Sequence, residues 1–130
     1  MEMKSLFEPR GVAVIGASAN PDKIGYRIVE NIVRSGYEGG VFPINPKGGE
    51  LLGHTIYPDL TEVDGDVDVA VIAVPANAVL GTVGECGAKG VKHLVIITSG
   101  FSEVGNLEVE RKIVQQAREQ GMRVLGPNIF

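Results

Sequence analysis

The chain has 130 residues, 44% of them hydrophobic and 22% charged, with a net charge of −4 and a pI of about 5.1. That suits one domain with a core of its own, and the acidic balance argues against a nucleic-acid partner. One cysteine, Cys86, excludes an intramolecular disulfide and fits a reducing compartment.

No apolar run approaches the roughly 18–20 residues that span a bilayer, so no membrane partner is expected. The opening "MEMKSLFEPRG" is polar and reads as neither a signal nor a transit peptide. The expected location is the cytoplasm.

The first element is "GVAVIG" (11–16), a short β-branched run that reads as a strand buried on both faces. A turn follows, "GASANPDKIG", framed by Gly16 and Gly25 with no glycine between them. Glycine-bearing strand-to-helix turns are where phosphate groups approach backbone N–H groups. Ile24, Ile28, Ile32 and Val33 then share one face of a helix that Gly36 ends from the C′ position.

The second strand is "GVFPIN" (40–45). The stretch 46–66 reads as a loop with one short helical turn near Leu60. "VDVAVIAV" (67–74) is the third strand. Ala76, Val79, Leu80 and Val83 mark a second helix running to Gly90, in which Gly81, Gly84 and Gly87 are expected to permit close helix packing. "HLVIIT" (93–98) is the fourth strand. Asn106 is the expected N-cap of a third helix, with Glu108 and Glu110 in its first turn, Val109, Ile113 and Ala117 on its apolar face and Gly121 at its end. "MRVLG" (122–126) is the fifth strand.

This alternation predicts a Rossmann-like, doubly wound α/β domain with a mainly parallel five-stranded sheet, in the order 3-2-1-4-5. In such sheets the ligand sits at the carboxyl ends of the strands, beside the switch point. The residues there are Gly16-Ala17-Ser18, Asn45-Pro46-Lys47, Val74-Pro75-Ala76, Thr98-Ser99-Gly100-Phe101 and Gly126-Pro127-Asn128. None is a carboxylate. Nicotinamide dinucleotide sites place Asp or Glu at the end of strand two, to accept from ribose hydroxyls. This chain has Asn45 there and then Lys47, a residue that suits a phosphate. Ala17 and Ala19 stand where glycines would let a pyrophosphate approach closely.

Five segments, in order, carry a family resemblance: "FEPRGVAVIGAS" (7–18), "VFPINPKGGELLGHTIYPDL" (41–60), "VDVAVIAVPA" (67–76), "ECGAKGVKHLVIITSGFSEVG" (85–105) and "GMRVLGPN" (121–128). The chain resembles the coenzyme A-binding domain of the succinyl-CoA synthetase α-subunit superfamily, and within it the ADP-forming acyl-CoA (acetyl-CoA) synthetase branch. The resemblance implies that Gly16, Ala17 and Ser18 form the first turn against the CoA phosphates, and that Lys47 meets a CoA phosphate. It implies that Val74 and Pro75 line the nucleotide side, that Ile97, Thr98 and Ser99 approach the pantetheine arm, and that Asn128 lies near the thiol end. Ala19, Lys23 and Gly25 in the first turn, with Asn45 and Pro46 before the lysine, complete the candidate set. The family's Gly-x-Thr-Gly is replaced here by Gly16-Ala17-Ser18-Ala19, and the turn is longer.

The implied parent is an acid–CoA ligase that converts acyl-CoA, ADP and phosphate to acid, CoA and ATP through a phosphohistidine carried by a following domain. The chain stops at "GPNIF", where that domain would begin, so residues 1–130 are expected to be the CoA-binding N-terminal fragment, inactive alone. Its expected partners are CoA or acyl-CoA and further synthetase domains or subunits. Two alternatives are a regulatory CoA-binding module of a protein acetyltransferase and an NAD-binding redox domain. His54 and His93 lack the companions of a metal or triad site, and Cys86 reads as a small core residue.

Overall fold

The computed structural model describes residues 9–97 and 107–125. The elements run β1 (Gly11–Ile15), α1 (Ile24–Arg34), β2 (Gly40–Ile44), β3 (Gly49–Leu51), β4 (His54–Ile56), a 3-10 turn (Leu60–Glu62), β5 (Val69–Ile72), α2 (Ala76–Lys89), β6 (His93–Ile96), α3 (Leu107–Glu119) and β7 (Arg123–Leu125). Every pairing in the main five-stranded sheet is parallel. All five residues of β1 are buried, as its unbroken β-branched run requires. Among the described residues no helix is long and apolar enough to cross a membrane.

Alternate strand residues serve two cores. Ala13, Ile15, Ala70, Ile72, Leu94 and Ile96 pack against Val79, Val83 and Cys86 of α2 and Ile113 and Ala117 of α3, with Leu60 and Val63 closing the layer. On the opposite face Val14 and Val41 pack against Val29 of α1 and against Leu51 and Ile56 of the β3–β4 hairpin. Helices thus lie on both faces of a parallel sheet, the doubly wound α/β class.

The strand order is β2-β1-β5-β6-β7, which is 2-1-3-4-5 when only the parallel strands are counted. The expected order 3-2-1-4-5 is therefore corrected: the third parallel strand lies beside the first. Pro43 supplies the reason. Gly40 N–H and the Ile44 carbonyl bond toward β1, so Pro43 faces the outer edge, where a neighbouring strand would need the N–H that proline lacks. That edge is occupied instead by Tyr57, whose N–H donates to Pro43 O and whose carbonyl accepts from Asn45 N–H, both at 2.9 Å.

Other expectations meet the structure unevenly. The short helical turn at Leu60 is present, but the stretch before it also holds an antiparallel hairpin. Its tip, Leu52-Gly53, has positive φ at both residues, a type I′-like turn in which leucine is an unusual occupant. Gly36 ends α1 with φ +82°. The buried stripe of α1 runs through Gly25 and Val29 and leaves Ile24 59% exposed. Of the expected face, Ile28 and Ile32 pack against the core around Val29, whereas Ile24 and Val33 are exposed, because the helix seats itself through Gly25, a residue with no side chain.

Gly84 and Gly87 do face α3, through Gln116 and Gln120, but Gly81 has open space around it. Val109, Ile113 and Ala117 pack inward as expected. Asn106 lies outside the described residues.

Candidate ligand site at the carboxyl edge of the sheet

With this order the switch point falls between β1 and β5: chain leaving β1 goes to β2 on one side, and chain leaving β5 goes to β6 on the other. The crevice for a ligand lies at the carboxyl ends of those two strands. Gly16 ends β1 with φ +98°, a conformation glycine adopts without strain. A Cβ there would lie 2.7 Å from the Ala73 carbonyl oxygen and 3.2 Å from Val74 N. Gly16 thus lies against the backbone that follows β5, at the switch point itself.

The rest of the turn is built from local hydrogen bonds. Gly16 and Ala17 N–H both donate to Ile44 O, at 3.0 and 3.1 Å, and Lys23 N–H donates to Asn20 O at 3.0 Å. Ser18 Oγ accepts from Asn20 N–H at 3.0 Å, and Asn20 Oδ1 accepts from Asp22 N–H at 2.9 Å. These Ser- and Asx-turns replace the glycines of the usual fingerprint. Asp22 and Ala19 are exposed along the way.

Helix α1 then begins on top of the turn. A Cβ on Gly25 would run into Gly16 O and lie 2.9 Å from Ala17 Cα, so only glycine allows this approach. Lys23 occupies the cap position in an extended conformation without a capping side-chain hydrogen bond, and the first turn of α1 holds no acidic residue. Uncapped N–H groups and the helix dipole together favour an anion at such an end.

The second turn follows β2. Asn45-Pro46-Lys47-Gly48 closes with Gly48 N–H on Asn45 O at 2.9 Å, and Gly48 has φ +63°. Asn at the first position, Pro at the second and Gly at the fourth is type I turn chemistry. Asn45 Oδ1 accepts from Lys47 N–H at 2.9 Å, and Asn45 Nδ2 donates to Ala17 O at 2.8 Å. One side chain therefore joins the two turns. Pro46, Lys47 and Lys23 are exposed, and no salt bridge occupies either lysine among the described residues.

Of the remaining candidates, Val74 is half-buried beside Gly16, and exposed Pro75 leads into α2, accepting from Ala78 N–H at 2.8 Å. Ile97 is half-buried and one strand further along, its N–H on Ile72 O at 3.1 Å. Thr98, Ser99 and Asn128 lie outside the described residues. The structure brings Gly16, Ala17, Gly25, Asn45 and Val74 together. Sequence reasoning missed Ala73, whose backbone meets Gly16, and Tyr57, which braces the end of β2. Pro43 marks an edge position, but no local signal in the sequence pairs that edge with Tyr57.

The other titratable candidates stay outside the site. His93 is buried in β6. Burial, with a smaller push from Glu85, takes the Cys86 thiol up to about 12, so it stays protonated and serves as core. Among the described residues no group of His, Cys, Asp and Glu is arranged to hold a metal ion.

Residues 10–129 match the CoA binding domain family. The α subunit of acetate–CoA ligase [ADP-forming] I from Pyrococcus furiosus is 50% identical, over 100% of this chain and 29% of its own length. Acetate–CoA ligase [ADP-forming] from Methanocaldococcus jannaschii is 46% identical, over 98% of this chain and 18% of its own. A solved structure described as dinucleotide-forming acetyl-coenzyme A synthetase 1 of Ca. Korarchaeum cryptofilum, in complex with phosphate and ADP, superposes with a TM-score of 0.93. It is 52% identical and covers 99% of this chain and 28% of that one. This chain spans less than a third of the length of each of these relatives. It belongs to the CoA-binding domain family and is homologous to that region of ADP-forming acetate–CoA ligases.

Proposed function

We propose that this chain serves as the coenzyme A-binding domain of an ADP-forming acyl-CoA synthetase, and that the turns 16–25 and 45–48 hold the phosphate end of CoA. The observation that carries the reading is the meeting of an uncapped helix N-terminus with a lysine-bearing turn at one switch point, joined by Asn45 at 2.8 Å. Backbone N–H groups and Lys47 then supply charge-assisted contacts to phosphate oxygens. Asn45 at the end of β2, where a dinucleotide site keeps a carboxylate for the ribose, favours CoA over NAD.

In this reading acyl-CoA, ADP and phosphate are converted to acid, CoA and ATP by the whole protein. CoA is a substrate and not a resident cofactor. Val74 and Pro75 face the nucleotide, Ile97, Thr98 and Ser99 the pantetheine arm, and Asn128 the thiol end. This domain binds and orients; the phosphohistidine belongs to another domain or subunit of the synthetase.

The test is the melting temperature of the chain against CoA, with NAD and ATP as controls. CoA at 100 times its Kd adds about 2.7 kcal/mol. For a chain this size that raises the Tm by about 10 °C. A comparable shift with NAD and none with CoA overturns the reading.

A further inference from the structure

We infer that Asn45 is a positioning residue: its carboxamide fixes the spacing between the two turns, and CoA affinity depends on that spacing. The inference rests on the CoA reading above and deepens it. All four backbone and side-chain polar groups of Asn45 are engaged. Its N–H donates to Tyr57 O and its carbonyl accepts from Gly48 N–H, both at 2.9 Å. Nδ2 donates to Ala17 O at 2.8 Å, and Oδ1 accepts from Lys47 N–H at 2.9 Å.

The partners fix the orientation of the amide. One is a carbonyl and needs a donor; the other is an N–H and needs an acceptor. Flipping the amide would oppose two donors on one side and two acceptors on the other. Aspartate offers no donor to Ala17 O at neutral pH. Serine is long enough for the Lys47 turn but not for Ala17.

Ala17 is held from both sides by consecutive residues of the second strand end. Its N–H is on Ile44 O at 3.1 Å and its carbonyl on Asn45 Nδ2 at 2.8 Å. Ala17 is fully buried and Asn45 half-buried, so the Ala17 end of this clasp is shielded from competing water. A phosphate gripped by backbone N–H groups of one turn and a flexible lysine of the other gains affinity when the turns are already spaced for it. The chain Ala17 O–Asn45–Lys47 N–H sets that spacing before the ligand arrives.

The experiment is calorimetric titration of CoA into the 130-residue chain and its variants at two salt concentrations. Each variant is first shown by thermal melting to be folded at the working temperature. Asn45→Ser retains the Lys47 turn and removes the clasp; it is expected to weaken CoA about 10-fold. Its salt dependence is expected to fall between those of the unaltered chain and of Lys47→Ala, because the lysine keeps its charge and loses part of its contact. Lys47→Ala is expected to flatten the salt dependence. The double variant is expected to lose less than the product of the two single losses, by about threefold or more, because Asn45 acts partly through Lys47. If Asn45→Ser does not fold, Asn45→Asp takes its place with a loss at least as large.

Losses that multiply in full, or unchanged affinity in the Asn45 variant, overturn the positioning role and leave the CoA reading intact. Failure of the unaltered chain to bind CoA overturns the CoA reading itself.

Discussion

The two ends of the sheet are fastened by different means. At the amino end the fastening is charge. Asp68 is 2% exposed and accepts from the Arg10 N–H at 2.8 Å, from Nη2 at 2.6 Å and from Nε at 3.1 and 3.2 Å. Its own N–H donates to Gly11 O, and its carbonyl accepts from Lys92 and His93 N–H, all at 3.0 Å. One residue thus ties the starts of β1, β5 and β6. At the carboxyl end the fastening is backbone: glycines 16 and 25 in close contact, Ser- and Asx-turns, and one asparagine. Charge is spent on structure at the first end. At the second, Lys23 and Lys47 stand exposed. Stability and ligand binding are therefore separable by edge.

The largest effect that tests this separation comes from Arg10→Ala. It leaves a buried carboxylate without its guanidinium and is expected to cost about 3 kcal/mol, read by urea denaturation. CoA affinity of the folded protein is expected to stay within about twofold. A parallel loss of affinity would break the comparison. The same pair sets an acid limit. The Arg10 guanidinium hydrogen-bonded to Asp68 holds its carboxyl below the usual carboxylate range. Its stabilisation is therefore complete above the unfolded value of about 3.9 and is lost as pH falls below it. Stability is expected to decline below about pH 4, with a shallower decline in Asp68→Asn.

Next comes Gly25→Ala, which strikes the other end. The new Cβ meets Gly16 O, so either the turn or the helix must move. A cost of about 2 kcal/mol in stability is expected, and here CoA affinity falls as well. Retained affinity in this variant would mean that α1 and its turn can separate without harm to the site, against the view that their contact builds it.

How far the sequence carried can be judged at these same residues. Strand and helix positions were legible because unbroken Val/Ile runs and heptad-like spacing are local signals. Strand order was not, because the alternation fits two orders equally. The deciding residue was Pro43, visible in "GVFPIN" and worth an edge position by itself. The hairpin escaped because its strands have three residues each, too few to show alternation, and its tip puts Leu52 at φ +49° where Asn or Gly is usual. The Arg10–Asp68 pair, 58 residues apart, left no local trace. At the site, the turns around Gly16 and Lys47 could be located from topology and turn chemistry. That Asn45 joins them could not, since the bond spans 28 residues.

A smaller effect, confined to binding, is expected from Lys47→Ala. The side chain is exposed, so the Tm without ligand should not move. CoA binding should weaken by roughly 1–3 kcal/mol, the scale of a charge-assisted contact. Unchanged affinity at low salt would remove Lys47 from the phosphate contacts and sharpen the site to α1 and its turn.

The smallest effect lies away from both edges, in α2. Gly81, Gly84 and Gly87 share a spacing that reads as a helix-packing stripe, yet only two of them meet a neighbour. Gly87 lies under Gln120, and a Cβ on Gly84 would come 2.9 Å from Gln116 Nε2, the end of a flexible side chain. Gly81 is exposed, within a helix, with nothing near its missing Cβ. Alanine there fills no contact but removes backbone freedom from the unfolded chain, so Gly81→Ala should stabilise by about 1 kcal/mol. At Gly84 the same gain is offset by moving the glutamine, so Gly84→Ala should sit near zero. CoA affinity should be untouched in both, since a Cβ on either glycine meets no residue of the candidate site among the described residues. Destabilisation by Gly81→Ala would mean that another surface covers that part of α2 in solution, and that the helix, and not only the sheet's carboxyl edge, faces a partner.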